Sequence, residues 1–346
     1  MEINEGTSKS NDDIIQAFEV FNNVFGNISN EQFVNKHYNN PERLNKAIYY
    51  MKENGKMIGI NGFMGCVLHN KNITIRTAQS CDTAVLDEYR GKGIFTKIVS
   101  AAENGLKEEG VQALIGLPND NSYYGFKKMG WKDLEETRTV VLRLDIMNAR
   151  GKKGRFFDWI DRIWNMCKLF LIYKNMLASY KVKIDEKFPF DEEEISLINV
   201  HDEFTFYRNQ NYYRWRLDKK NVKYLRVYEN NKLVGYIIFR KADDGIKRIV
   251  EIIDWWMISY EKKSILARMI YEVHKIYKGY ILFPFLNSEG KELKILQQLG
   301  FIINKKDKHR IIYKILDENL GTDIMHKKLQ IRLLDVDTFV NCDYEN

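Results

Sequence analysis

The feature that most narrows what this chain can fold into is an internal echo. Glu53-Asn54-Gly55-Lys56-Met57-Ile58-Gly59 returns as Glu229-Asn230-Asn231-Lys232-Leu233-Val234-Gly235, an offset of 176 residues. Lys127-Lys128-Met129-Gly130-Trp131 returns as Gln297-Gln298-Leu299-Gly300-Phe301, at 170. Two matches in one order at nearly one offset point to two similar units in series. Length agrees, since 346 residues leave room for two domains of ordinary size.

The hydropathy periods read alike in both units. In the first, Met57 to Leu68 and Ile73 to Leu86 are apolar and β-branched around an Asn70-Lys71-Asn72 turn, which predicts antiparallel strands. Ile94, Ile98, Ala101, Ala102 and Gly105 share a helical face before Gly110. A strand over 111–117, a helix over 121–129 stopped by Gly130, and a strand over 137–144 complete the unit. The second unit predicts strands over 222–227, 233–240 and 248–257, a helix over 264–276, a strand over 280–285 and a helix over 292–299. The fold class expected is mixed α/β (α+β), each half built on a central sheet.

Composition removes several alternatives. With 45% hydrophobic and 29% charged residues the chain is globular, which sets aside disorder and coiled-coil arrays. A net charge of +7 over so long a chain suits an anionic ligand without implying nucleic acid. Cys66, Cys81, Cys167 and Cys342 lack paired spacing, so neither a disulfide framework nor a zinc site is indicated and no metal is expected. The acidic start, with Glu2, Glu5, Asp12 and Asp13, does not read as a signal or transit peptide, and a cytoplasmic location is expected.

Between the units, Asn148 to Phe190 matches neither copy. Arg150, Lys152, Lys153, Arg155, Arg162, Lys168, Lys174 and Lys181 outnumber Asp158 and Asp161, and Phe156, Phe157, Trp159, Ile160, Ile163, Trp164 and Leu169 supply apolar surface. One reading is a linking helix that packs its aromatics on both domains and shows lysine to water. The other is a helix that lies on a membrane surface.

The segment that carries chemistry is Ala84-Val85-Leu86-Asp87-Glu88-Tyr89-Arg90-Gly91-Lys92-Gly93-Ile94-Phe95, where a strand ends, a glycine-bearing turn follows and a helix begins. Gly91 and Gly93 let the backbone turn tightly, and amide N–H groups stand unpaired at the helix start. With the helix dipole, and the charges of Arg90 and Lys92, this makes an anion cradle suited to a diphosphate. A plain turn with solvated basic residues has the same letters. No Gly-Lys-Ser/Thr follows, so it is not a Walker loop, and without a third glycine it is not a dinucleotide fingerprint.

The segment resembles the GNAT superfamily of acetyl-CoA-dependent N-acyltransferases, whose signature is Arg/Gln-x-x-Gly-x-Gly/Ala. Arg90, Gly91, Lys92 and Gly93 fit it, while Phe95 stands where the family usually has Gly or Ala. A second block, Asn119, Ser122, Phe126, Gly130 and Trp131, falls on the family pattern Asn-x-x-Ala-x-x-x-Tyr-x-x-x-Gly-Phe. The resemblance covers roughly residues 13 to 145 and implies two GNAT-like mixed central sheets flanked by helices and joined by a helical linker. Residues 1–147 would then bind acetyl-CoA, 148–190 link, and 191–346 form a degenerate second copy that shapes the substrate site. Nothing like Arg90 to Gly93 follows the strand ending at Met257.

What the resemblance implies for the site is specific. Ala84 and Val85 hold the pantetheine arm through their backbone, with the Val85 N–H as oxyanion donor. Arg90, Gly91, Lys92, Gly93, Ile94 and Phe95 bind the diphosphate, and Asn119, Ser122 and Phe126 complete the cofactor side. Phe126 replaces the tyrosine that many members use to protonate the leaving thiolate, so Tyr123 or Tyr124 is expected to substitute. Gln79 stands where histone-type members have a catalytic Glu, which leaves Asp82, Glu103, Asp254 or a water relay as base. An acyl-enzyme on Cys81 is a further route. Arg214, Arg216 and Asp254 are candidates to grip substrate. The expected reaction is acetyl transfer to a primary amine of a small molecule, such as an amino sugar or aminoglycoside-like compound. Alternatives are longer-chain or lipid-linked acyl transfer at a membrane surface, and a non-catalytic acyl-CoA-binding protein.

Overall fold

The computed structural model describes residues 2–7, 11–26, 30–143, 154–176, 180–217, 221–242, 248–320 and 329–336. The expected boundary between 147 and 148, and Leu144, Arg150, Lys152, Lys153 and Cys342, lie outside the described residues.

The chain begins with β1 (Glu2–Thr7), α1 (Asn11–Val24) and α2 (Asn30–Tyr38). Asn54 and Gly55, both at positive φ (51° and 78°), turn β2 (Lys46–Glu53) into β3 (Lys56–His69) with the twist a two-residue hairpin needs. The side-chain oxygen of Asn70 accepts from the N–H groups of Asn72 and Ile73 at 2.9 Å and starts β4 (Thr74–Val85). Next come α3 (Ile94–Glu108), β5 (Ala113–Gly116), α4 (Asp120–Lys128) and β6 (Lys132–Leu142). After α5 (Arg155–Lys174) the second half runs β7 (Lys181–Asp185), α6 (Glu192–Ile198), β8 (Phe204–Phe206) and α7 (Gln210–Leu217). Asn230 and Asn231, at φ 50° and 61°, repeat the earlier turn between β9 (Lys223–Glu229) and β10 (Lys232–Lys241). β11 (Ile249–Met257), α8 (Lys263–Ile276), β12 (Tyr280–Asn287), α9 (Lys291–Gln298), β13 (Ile302–Ile315) and β14 (Leu329–Gln330) follow.

The mixed α/β class stands, but the strands join in one 14-stranded sheet rather than two. Its order, β1-β2-β3-β4-β5-β13-β6-β12-β11-β10-β9-β7, mirrors itself about the β13/β6 pair. β13 lies between β5 and β6, and β6 between β13 and β12, all antiparallel. Each half therefore gives its last strand to the other. The exchange gives both strands a paired neighbour on each side and leaves neither half an open edge there. One core cluster accordingly mixes Cys66, Leu68, Ile75 and Ile115 with Tyr212, Tyr213, Tyr236 and Ile253.

Strand alternation sorts the layers. On β2, Ile48 and Tyr50 pack with Ala17, Val20 and Phe33 of α1 and α2. Tyr49 and Met51 face the opposite side, with Ile94, Ile98 and Ala102 of α3. In the second half α8 and α9 cover Ile237 and Phe239, while α6 and α7 cover Tyr236 and Ile238.

α5 packs on α8 with only part of the expected apolar surface inward: Leu169 packs on the second-half core and Arg155, Arg162 and Lys174 are exposed. Ile172 is buried and the Lys168 ammonium donates to the Gly300 carbonyl at 2.6 Å, whereas Phe156, Trp159 and Phe170 are exposed. Among the described residues no helix is long and apolar enough to cross a membrane.

Candidate functional site

β4 pairs in parallel with β5 only from Thr77 to Ser80, against Ala113 to Gly116, so its last residues have no neighbour on that side. On its other side the Leu86 N–H donates to the Ile58 carbonyl at 3.0 Å. Alternation along an antiparallel pair then turns the Val85 N–H and carbonyl into the gap. The carbonyl accepts from Arg90 Nε at 3.4 Å, and the N–H remains for a ligand.

A single 3₁₀ turn, Asp87–Tyr89, carries the chain to Gly91 and Gly93, at φ 76° and 74°. At either glycine an added Cβ would meet nothing within 4 Å, so packing does not exclude side chains here. The left-handed backbone does disfavour them. The first helical hydrogen bond runs from the Lys97 N–H to the Gly93 carbonyl at 3.1 Å, which leaves the amides of Ile94, Phe95 and Thr96 without helical partners. Ile94 and Phe95 line a cleft of about 660 Å³, in the range of small-molecule sites. Thr83, Ala84 and Val85 form one wall, Arg90, Gly91, Gly93, Ile94 and Phe95 the base, and Asn119, Asn121, Ser122 and Gly125 of the α4 start the other wall.

Most of the expected cofactor residues converge here. The Asn119 side-chain oxygen caps α4 by accepting from the Ser122 N–H at 2.9 Å, which leaves its amide NH₂ to donate elsewhere. Phe95 is accommodated by a residue sequence reasoning passed over: a Cβ on Gly125 would come within 2.7 Å of its ring, so glycine on α4 makes room for the aromatic on α3. Two expected members stand back from the cleft. Phe126 is buried in the core, with its ring 5.0 Å from Phe95 and 4.7 Å from Trp131, and supports the base from beneath. The Lys92 ammonium sits 4.8 Å over the Tyr89 ring, leaving Arg90 as the cation that lines the cleft.

The acid and base candidates do not converge. Tyr123 donates to Asp133 at 2.9 Å, under the Arg310 guanidinium at 4.6 Å from its ring centre, and that hydrogen bond raises the phenol above its ordinary value. Tyr124 is exposed, and neither tyrosine lines the cleft. Asp82 is buried at a bulge in β4, φ 48°, with Lys36 Nζ at 2.8 Å and His37 Nε2 at 2.7 Å. Burial alone would raise its carboxyl, but Lys36 and His37 outweigh that and hold it well below the usual range. A carboxylate so held is a poor base, and its place here is structural. His37, Cys81 and Asp82 lie close enough to suggest metal ligands, yet the Lys36 ammonium already supplies the cation. Cys81 is buried and does not line the cleft. Glu103 accepts from the Trp131 indole at 2.8 Å and from Lys314 at 2.6 Å. No carboxylate or imidazole lines the cleft among the described residues.

The substrate candidates also part company. Arg214 is exposed, its nearest polar contact Gln210 at 3.4 Å. Arg216 is buried and donates to the Leu334 carbonyl at 2.5 Å and to the Val336 carbonyl. Asp254 accepts from Tyr236 at 2.7 Å, with Arg208 at 3.6 Å. It sits on β11 much as Asp82 sits on β4. Tyr213, bonded to Asp254 at 3.3 Å, stands 176 residues after His37, the partner of Asp82. Where the first half has a cleft, the second is filled by its own chain: Arg332 donates to the Trp255 carbonyl at 3.4 Å and to Glu292 at 2.5 Å. Only about 10 Å³ remains there.

Other contributors were missed. Val24 and Phe25, at the end of α1, close the cleft over Thr83, and the Asn61 amide donates to the Thr83 hydroxyl at 2.7 Å. Their sequence carries no signal, because only the fold brings α1 to the end of β4.

Comparison with known proteins agrees with this geometry. Residues 7–133 match the family model described as an acetyltransferase (GNAT) domain. An uncharacterized N-acetyltransferase of Chlorobaculum tepidum is 40% identical over 63 residues, which is 18% of this chain and 39% of that protein. The match thus spans well under half the length of that curated relative. A crystal structure of a GCN5-related N-acetyltransferase from Anabaena variabilis superposes with a TM-score of 0.65 at 14% identity, covering 91% of this chain and 73% of that one. A probable N-acyltransferase from Enterococcus faecalis does so with 0.65 at 13%, over 91% and 72%. At these identities the likeness concerns the fold, and it extends far past residue 133.

Proposed function

We propose that this chain, which belongs to the GNAT superfamily of N-acyltransferases, moves an acetyl group from acetyl-CoA to a primary amine of a small molecule. The observation that carries the reading is the continuity of one cleft from the unpaired amides of Ile94 and Phe95, beside Gly91 and Gly93, to the outward N–H of Val85. The first suits a diphosphate and the second a carbonyl oxygen that gains negative charge.

Acetyl-CoA would supply an acyl group activated as a thioester. The chain's own part is to bind and to stabilise. Arg90 and the α3 amides hold the diphosphate, and the backbone of Ala84 and Val85 pairs with the amide-bearing arm as a further strand would. The Val85 N–H donates to the thioester oxygen as the amine nitrogen forms the new C–N bond and the C–S bond breaks. With no carboxylate or imidazole on the walls, the amine's proton passes to water in the open cleft and the thiolate is protonated from water. An acceptor that is partly uncharged near neutrality, such as an amino sugar, fits a site without a base. The second half, whose groove is filled by residues 329–336, serves as a degenerate copy that supports the first through the exchanged strand β13. We assign the chain to the cytoplasm, where Cys66, Cys81 and Cys167 stay reduced.

The test is release of free CoA thiol from acetyl-CoA with a panel of amines. Turnover with at least one amino sugar or aminoglycoside supports the reading. Tight CoA binding without turnover on any amine would favour an acyl-CoA-binding protein.

A further inference from the structure

The outer face of α5 has no partner among the described residues, and its pattern is regular. Phe156, Trp159, Ile163, Met166, Phe170 and Tyr173 follow one another at steps of three and four residues, so they form one stripe. Each is exposed, from 41% for Ile163 to 70% for Met166. They are six of the fifteen exposed large hydrophobic side chains among the described residues, gathered on one helix. A contiguous apolar patch of this kind marks an interaction surface rather than ordinary scatter.

The helix is fixed from behind. Ile172 is buried, Lys168 reaches the Gly300 carbonyl, and the Trp164 indole donates to the Arg143 carbonyl at 3.2 Å. The stripe is therefore presented by a docked helix and cannot turn inward without undocking it. Its flanks decide the partner. Arg155, Arg162 and Lys174 are exposed on the same side against a single exposed acid, Asp158, and Arg150, Lys152 and Lys153 precede the helix in the sequence. A second copy would set these basic residues against themselves. Four of its six residues are aromatic, where a helix-pairing seam favours leucine and β-branched residues.

We infer that α5 is a membrane-surface helix, which lays this stripe into the headgroup region of an anionic bilayer while Arg155, Arg162 and Lys174 meet lipid phosphates. Aromatic rings at the interface with basic residues beside them are the pattern of helices that lie on a membrane without crossing it. This goes beyond the acetyl-transfer reading and does not depend on it.

The experiment is co-sedimentation of the full chain with vesicles of phosphatidylcholine and phosphatidylglycerol in about equal amounts, and with phosphatidylcholine alone, at low salt. Binding to the mixed vesicles only, weakened by added salt, is expected. Trp159→Ser with Phe170→Ser should reduce partitioning by roughly tenfold or more. Arg162→Gln and Lys174→Gln should each cost roughly fivefold. Circular dichroism spectra and thermal melts should not change in any of these, which shows that the variants are folded, since the substituted side chains are exposed. Absence of sedimentation with anionic vesicles, or equal sedimentation of the Trp159→Ser/Phe170→Ser variant, overturns the inference. So does a dimer in analytical ultracentrifugation that this variant dissociates, which would assign the stripe to a second copy.

Discussion

Replacing Gly93 by alanine separates the two demands placed on that residue. Gly93 is held at φ 74°, and a non-glycine residue in the left-handed region costs about 1–2 kcal/mol of stability. An added Cβ meets no protein atom within 4 Å, so no clash adds to this and the variant should fold. The methyl group instead enters the cleft where the diphosphate would approach the α3 amides. Loss of one hydrogen bond to a charged oxygen is worth roughly 1.5–3 kcal/mol, which predicts CoA binding weaker by about 10- to 100-fold in calorimetry. Gly130 provides the control. It has φ 83°, also meets nothing within 4 Å, and lies at the end of α4 away from the cleft. Gly130→Ala should lose similar stability in denaturant titration while binding CoA like the unaltered chain. Were Gly93→Ala to fold and bind CoA with unchanged affinity, or were both variants weakened alike, the cradle argument would be refuted.

Other expectations follow from the same geometry. Tyr123→Phe should leave thiol release within about twofold, because the hydroxyl is bound to Asp133 outside the cleft; a fall of 100-fold or so would restore it as the acid. Asp82→Asn should destabilise by roughly 3–5 kcal/mol, because it strips the buried Lys36 and His37 of their counter-charge, and denaturant melts within about 1 kcal/mol of the original would contradict this. Burial, with Arg208 adding to it, lowers His69 to about 4 and His201 to about 3. The unfolded chain takes up these protons near 6.5 and the folded chain refuses them. Stability is thus complete above about pH 6.5 and declines as pH falls towards 4, and thermal melts of His69→Gln should show a flatter decline.

How far the sequence reaches depends on how local the physics is. The strand–turn–helix segment, the Asn119 cap and the paired Asn turns were legible because backbone geometry within a few residues decides them. The helix over Ile94–Glu108 announced itself by period. β13 did not: its apolar ends, Ile302-Ile303 and Ile311 to Ile315, are separated by the polar run Asn304 to Arg310, and the strand it pairs with lies more than 150 residues away. The exchange of β6 and β13 was invisible for the same reason.

Side-chain roles were less legible still. Asp82 reads as a free carboxylate until α2 places Lys36 and His37 against it, and Arg216 as a substrate anchor until residues 334 and 336 arrive. Phe95 departs from the family pattern and its complement, Gly125, sits thirty residues on. A helix such as α5 shows its amphipathic character in sequence but not which face its neighbour covers; Lys168, Leu169 and Ile172 meet the second half, while Phe156 and Trp159 stay exposed.

The central claim is that the amides following Gly91 receive the diphosphate of CoA. A structure of the full chain crystallised with CoA tests it most directly. The account predicts diphosphate oxygens within hydrogen-bond distance of the N–H groups between Gly91 and Thr96, with the arm running along Ala84 and Val85. Diphosphate found elsewhere, such as against the start of α8, or a cradle closed by a neighbouring side chain, would contradict it.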